Sequence, residues 1–277
     1  MGSGRPELDD VSSWLGIIET YLDAVPRSAA EPEAVGKFTL FRPRGPWNYY
    51  ARPRLGLDED ITSADVDEVR ARQRVLKLPE NLEWVVQTTP SLGAAAAKSG
   101  LGVVEYPLLV LDSPQAPTQS LPDGIAISRL MPDHPDFARS HAVAHVGFGA
   151  AGTAIGMEGG RERDEQAEAL KPAMLDFMRD RHRTELSVSY AAFDATGPIA
   201  IGTHQPVGDT TEIVGVATLP SARRRGIAAA VTGALVADAL ARGISTVFLS
   251  AGSDDVARVY ERVGFRRIGA VGAAESA

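Results

Sequence analysis

A strand that ends in a proline, then three consecutive arginines, then an alanine-rich helix leaves this chain little freedom in its second half. The run is 212–229, EIVGVATLPSARRRGIAA. Residues 212–218 are apolar and rich in β-branched side chains, the composition of a buried strand. Pro220 closes that strand, and a helical pattern follows Gly226. Arg223, Arg224 and Arg225 therefore stand where a helix begins. A helix N-terminus already carries about half a positive charge and unpaired N–H groups, so three cations there are unfavourable unless an anion completes the site. Phosphate suits such a turn. Gly226 admits close approach to the backbone, and the small Ala228, Ala229 and Ala230 keep the first helical turn free of bulk.

The composition narrows the function classes. In 277 residues, 44% apolar, there is room for two modest domains or one large one. With 28 basic against 36 acidic residues and a net charge of −8, a nucleic-acid-binding surface is not the main business of the chain. Without cysteine there is no disulfide framework, no thiol nucleophile and no thiolate metal site. The start MGSGRPELDD lacks a signal-peptide pattern and no apolar run is long enough to span a bilayer, so the expectation is a cytoplasmic protein with no membrane partner.

A Pro, Ser and Gln-rich stretch at 113–124 divides the chain, giving expected domains of 1–118 and 123–277. Upstream, helices are expected at 11–24, 63–78 and 91–99, and strands at 37–42, 83–87 and 106–111. Downstream, a strand at 125–129 precedes a helix at 136–148 and a longer one at 161–183 with a kink at Pro172. Strands at 187–193, 199–205 and 211–218 follow, with turns at Thr196-Gly197-Pro198 and Gly208-Asp209. A helix at 226–242, a strand at 246–250, a helix at 254–263 and a strand at 265–269 complete the chain.

Residues Arg223, Arg224, Arg225, Gly226, Ile227 and Ala228 are neither a GxxxxGK(S/T) nor a GxGxxG motif. They resemble the acetyl-CoA signature Q/R-x-x-G-x-G/A of the GNAT acyltransferase superfamily. The β-α-α-β-β-β-α-β-α-β order of the second half is the one that superfamily has. Residues 253–265, SDDVARVYERVGF, resemble its later motif N-x-x-A-x-x-x-Y-x-x-x-G-F: Tyr260, Gly264 and Phe265 match, while Ser253 replaces asparagine and Val256 alanine. The resemblance covers about 125–269. Aligning Gly100-Leu101 with Gly264-Phe265, an offset of 164, makes the first half resemble a worn copy without the arginine motif.

The resemblance implies an α/β GNAT fold, a mixed central sheet flanked by helices, in tandem with a degenerate N-terminal half. It implies acetyl-CoA as co-substrate, no metal, and a small-molecule or protein amine as acceptor, in a chain compatible with a homodimer. The N–H groups of Arg224, Arg225, Gly226, Ile227, Ala228 and Ala229, with the Arg223, Arg224 and Arg225 side chains, would hold pyrophosphate, and Ser253 would belong to the same cofactor site. Val216, Ala217 and Thr218 would pair with the pantetheine arm, one N–H facing the oxyanion. Tyr260 would be the acid for the departing thiolate; the alternative is a core aromatic. Glu212, eleven residues before Arg223, would be the base. Alternatives are a solvent-facing strand-end glutamate, or deprotonation through water. Two other readings stay open: a non-catalytic acyl-CoA-binding sensor or scaffold, and a relative of tandem-GNAT mycothiol synthase.

Other groups fit blander roles. His141 and His145, spaced i, i+4 without a third ligand, read as a surface or cleft-lining pair. His204 is placed in a strand, where it would face the cleft as an auxiliary base. Trp47, Tyr49, Tyr50, Arg52 and Arg54 read as inter-domain packing or an acceptor wall.

Overall fold

The computed structural model describes residues 10–112, 121–150 and 152–276. Contacts divide the chain into two units, one of Met1–Leu109, Ser250–Asp254 and Arg267–Ala277, the other of Val110–Leu249 and Asp255–Arg266. From 113 to 120 the expected junction lies outside the described residues.

In the first unit, helix α1 (Val11–Ala24) buries Trp14, Ile18 and Leu22, spaced i, i+4, i+8, and Asp10 caps it by accepting the Ser13 N–H at 3.1 Å. Strands β1 (Ala30–Val35) and β2 (Phe38–Pro43) form an antiparallel hairpin, and β3 (Arg52–Pro53) completes a three-stranded sheet. A strand at 30–35 is not among the expected elements; β1 carries Pro32 on an edge, where a missing N–H is tolerated. Helix α2 (Ser63–Leu76), β4 (Asn81–Val85), α3 (Leu92–Lys98) and β5 (Gly102–Leu111) follow. Phe38, Leu40, Val66, Val69, Leu82, Trp84, Leu92 and Ala96 join in one buried cluster. Trp47, Tyr49 and Tyr50 follow the β1–β2 hairpin, and Arg52 lies in β3. Within this unit Tyr50 donates to Glu275 at 2.6 Å, and Arg52 pairs with Glu83 at 2.7 Å.

The second unit begins with β6 (Ala126–Arg129), α4 (Phe137–Gly149), α5 (Gly160–Ala169) and α6 (Pro172–Arg183). The last two replace the single kinked helix expected at 161–183. Leu170 and Lys171 are extended, as the residue before a proline prefers, and Pro172 opens α6 at its first turn, where no N–H is needed. The antiparallel meander β7 (Val188–Asp194), β8 (Gly197–Val207), β9 (Thr210–Thr218) follows, then α7 (Ile227–Ala241), β10 (Thr246–Ser250), α8 (Asp254–Glu261) and β11 (Phe265–Glu275). Strands β10-β9-β8-β7-β6 lie in that order, β10 parallel to β9 and the others antiparallel.

The end of β11 belongs to the first unit, where it runs antiparallel to β4 from Val271↔Val85 to Glu275↔Asn81. Gly272 stands opposite Trp84, and a Cβ there would lie 2.3 Å from the indole ring. A side chain at 272 would displace the largest core residue of this sheet, of order 1–3 kcal/mol. The β4-α3-β5 segment repeats the β10-α8-β11 segment at the offset of 164, and each helix is followed by a left-handed glycine, Gly100 at φ +84 and Gly264 at φ +95.

Candidate functional site

Strand β9 is paired on one side along its length and on the other only at its start. Its parallel register with β10 runs from Thr210↔Thr246 to Glu212↔Phe248, whereas its register with β8 continues to Thr218↔Ala200. Residues 213–218 therefore have, among the described residues of β10, no partner on that side. Such an edge can pair with an extended ligand. The same stretch carries a bulge, since the register shifts between Thr203↔Val214 and Ile201↔Ala217 and sets Gly215 and Val216 against Gly202 alone. Gly215 sits at φ +64, a conformation that glycine adopts without strain, and the bulge redirects the backbone groups that follow it. Ala217 and Thr218 are buried, Val216 half-buried. The Thr218 hydroxyl oxygen is buried with no hydrogen-bond partner.

Beyond β9, a 3-10 turn (Pro220–Ala222) leads into the arginines. Arg224 at φ +60 and Gly226 at φ +75 both adopt the left-handed conformation, curling the backbone ahead of α7. Gly226 is the N-cap of α7 and has no side chain to satisfy the first helical N–H groups. Arg224 and Arg225 are exposed and form no ion pair among the described residues. Burial holds this helix despite its cationic end. Ile227, Val231, Leu235 and Val236 are buried, each contributing about 1.5–3 kcal/mol, against about 0.3–1 kcal/mol of repulsion per misplaced charge. Ala228 and Ala229 are half-buried on the first turn.

Arg223 differs from its neighbours. Its guanidinium donates to the carbonyls of Gly147 at 2.7 Å, Ala150 at 3.0 Å and Ala154 at 3.2 Å, closing the C-terminus of α4. The connection after α4 is stitched to the turn by Gly156 N–H to Pro220 O at 3.1 Å and Ser221 N–H to Glu158 O at 3.0 Å. Gly147 lets α4 press on β9, since a Cβ there would meet Ala217 Cβ at 3.0 Å.

Glu212 is half-buried on β9 between Gln205 of β8 and Phe248 of β10. Alternation sets Glu212, Gln205, Thr203 and Val214 on one face of the sheet, and Thr211, Ile213 and His204 on the other. The second face is covered by α7, because His204 bonds Asp238 at 3.0 Å and Thr211 at 3.1 Å. Asp238 also accepts from Tyr190 at 3.1 Å and pairs with Arg242. His204 is thus a fully buried structural residue on the face opposite Glu212. Burial pushes its pKa down.

On the Glu212 face a polar chain runs inward. Thr203 Oγ1 is 2.6 Å from Ser189 Oγ, which is 2.9 Å from His182 Nε2, and His182 Nδ1 is 2.8 Å from the Met178 carbonyl. His182 packs against Phe137 and His141 at ring centroid distances of 5.0 and 5.4 Å. His141 packs inward while His145 is exposed, so the two do not act as a pair. Desolvation lowers the pKa of His141 to about 3. Among the described residues no group of three metal-ligating side chains converges. None of Thr203, Ser189 and His182 stands out in the sequence, since they come from three segments and meet only through strand register.

Tyr260 lies on α8, 8% exposed, its ring edge-on to Phe265 at 6.1 Å, and burial pushes its phenol pKa well up. It carries its proton throughout the neutral range. Ser253, immediately before α8, falls in the stretch grouped with the first unit.

The model of the acetyltransferase (GNAT) family matches residues 153–265, a span holding Glu212, the arginine turn and Tyr260. The second half is a GNAT acetyltransferase domain. A GCN5-related N-acetyltransferase from Kribbella flavida shares the fold at 15% identity, with a TM-score of 0.67 over 95% of each chain. The tandem GNAT protein from the clavulanic acid biosynthesis pathway shares it at 15% identity, with a TM-score of 0.57 over 99% of this chain and 97% of that one. Against a GCN5-related N-acetyltransferase from Sphaerobacter thermophilus the values are 18% and 0.52, over 73% of this chain and 62% of that one. No functionally curated protein matches the sequence. The chain has the two-domain tandem GNAT architecture, and no helix among the described residues is long and apolar enough to cross a membrane.

The start of α2 differs from the start of α7. Helix α2 begins 164 residues before α7, so Glu59, Asp60, Ile61 and Thr62 stand where the GNAT turn has Arg223, Arg224, Arg225 and Gly226. The α2 N-terminus is filled from within: Thr62 and Asp65 form a capping box, and Lys37 pairs with Asp65 and Glu59, each at 3.5 Å. The first N–H groups of α2 thus meet side chains of the same segment.

Proposed function

We propose that the protein is an N-acetyltransferase that moves the acetyl group of acetyl-CoA to a primary amine by direct attack, with the site in the half spanning 123–277 and a degenerate GNAT-like half spanning 1–118. The observation that carries this reading is the uncapped, bi-arginine N-terminus of α7 at the end of the half-paired strand β9. Backbone N–H groups of Arg224 to Ala229 hold pyrophosphate, with the Arg224 and Arg225 side chains adding charge. The free edge of β9 at Val216 to Thr218 aligns the pantetheine arm, and an N–H after the bulge faces the thioester oxygen as it gains charge.

Glu212 takes the proton from the acceptor ammonium, releasing the lone pair that forms the C–N bond. As the C–S bond breaks, the Tyr260 O–H donates its proton to sulfur, and the second proton that the nitrogen sheds in becoming an amide balances the one the phenol has given. A phenol with a raised pKa transfers that proton only to a strongly basic partner, which a desolvated thiolate is.

Calorimetry with acetyl-CoA on the native protein and on an Arg224→Glu/Gly226→Glu variant tests the cofactor site. Micromolar binding that the variant loses supports it; no binding at millimolar acetyl-CoA sinks it. A second reading, a non-catalytic acyl-CoA-binding module, draws on serine at position 253 where the GNAT motif has asparagine. It predicts acetyl-CoA binding with no CoA release in the presence of any amine.

A further inference from the structure

The chain from Thr203 to Met178 has a fixed direction. A carbonyl oxygen only accepts, so His182 Nδ1 carries the hydrogen given to Met178 O. Neutral His182, which burial favours, then has a bare Nε2 that must receive the Ser189 O–H. Ser189 has one hydrogen, already used, so the bond at 2.6 Å to Thr203 is donated by Thr203. Thr203 in turn has spent its only hydrogen. Its oxygen keeps lone pairs alone, and no other hydrogen bond to it occurs among the described residues.

Ser189 and His182 are buried, at 0% and 7% exposure, whereas Thr203 is half-buried at the outer end. Thr203 pairs with Val214, and Gln205 with Glu212, so Thr203 and Glu212 are diagonal neighbours on one face, roughly 7 Å apart at Cβ. A carboxylate and an accepting-only hydroxyl at that separation bracket a single atom that bears several hydrogens. An ammonium nitrogen meets both at ordinary hydrogen-bond lengths. An alcohol, with one hydrogen, satisfies only one.

We infer that Thr203 is a positioning residue for the acceptor, and that the chain Thr203–Ser189–His182 sets its polarity so that its oxygen accepts a hydrogen from the acceptor ammonium. This rests on the acetyltransferase reading and adds a residue that orients its second substrate. The polarity of Thr203 comes from the buried histidine tautomer, two hydrogen bonds away from it.

Two measurements test it. The ring 15N spectrum of the native protein, with His182 assigned by comparison with His182→Asn among only five histidines, is expected to show the Nδ1–H tautomer; an Nε2–H tautomer reverses the chain and overturns the inference whatever the turnover. Steady-state kinetics with the best-turned-over member of a panel of amino acids, diamines and peptide N-termini gives the second. Thr203→Val is expected to raise the amine KM about tenfold with acetyl-CoA affinity unchanged, and Thr203→Ser, which keeps the hydroxyl, to stay within about twofold of native. An unchanged amine KM in Thr203→Val overturns the inference. A native protein that binds no acetyl-CoA overturns the acetyltransferase reading itself and leaves the tautomer result to judge the chain's direction.

Discussion

The guanidinium of Arg223 lies 2.7 Å from the carbonyl oxygen of Gly147, so the first arginine of the triplet closes helix α4 while the second and third remain turned to solvent. The triplet is thereby divided by task. Arg223→Ala is expected to lower stability by about 1–3 kcal/mol, since three carbonyls lose a charged donor, and to shift the unfolding midpoint measured by calorimetry. Arg224→Glu/Arg225→Glu is expected to hold or raise the midpoint, since carboxylates suit a helix N-terminus and cations do not, and to weaken acetyl-CoA binding at least tenfold. The reverse pattern, with the midpoint lowered by the outer pair and untouched by Arg223→Ala, would refute this division.

Tyr260 separates acid catalysis from packing. Tyr260→Phe removes only the hydroxyl from a ring that stays packed on Phe265, so the fold is expected to survive, kcat to fall at least about tenfold and the acetyl-CoA KM to hold. Rapid-quench measurement that finds the chemical step unaltered would return the tyrosine to the core.

Glu212 is tested through pH. Loss of its carboxylate in Glu212→Gln is expected to abolish the acidic limb of the kcat/KM profile against pH. A variant profile superimposable on the native one would leave deprotonation to water.

Because the α2 N-terminus carries its own capping box, one acetyl-CoA is expected per chain. Titration calorimetry reading two equivalent sites would show that Thr62 and Asp65 give way to phosphate.

Three desolvated histidines set a lower pH limit. His141, His182 and His204 are all shifted below their ordinary value near 6.5 by burial, so the unfolded chain binds more protons than the folded one below that pH. Stability is therefore full above about pH 6.5 and falls as pH drops through the unfolded value. For His141, whose pKa is lowered to about 3, the loss at pH 5 amounts to about 2 kcal/mol. Denaturant midpoints that do not fall between pH 7 and pH 5 would contradict the burial of these rings.

What the sequence made legible was local. The β9–turn–α7 unit is encoded within twenty residues, its strand composition, proline, glycine and alanines all adjacent, and the helix begins one residue from where the pattern puts it. The helices α1 and α2 read equally well because their apolar spacing and caps are contiguous, and α4 by its spacing alone. Elements that depend on distant partners did not. Strand β1 is admitted only because its proline falls on an edge, which topology decides. Arg223 reads as a phosphate ligand until α4, 76 residues earlier, brings its carbonyls alongside. The polarity of Thr203 depends on a helix, a strand and a hydrogen count, and no window of sequence contains all three.

Vectorial synthesis gives the pairing of β4 with β11 a further meaning. Val85 meets Val271, so β4 leaves the ribosome long before its neighbour exists, a wait of roughly 10–40 seconds at 5–20 residues per second. Until then Leu82 and Trp84 sit on a strand whose edge toward β11 is open. Ending translation at the Pro-rich junction would release a first domain without 250–254 and 267–277, the partner strand of β4 among them.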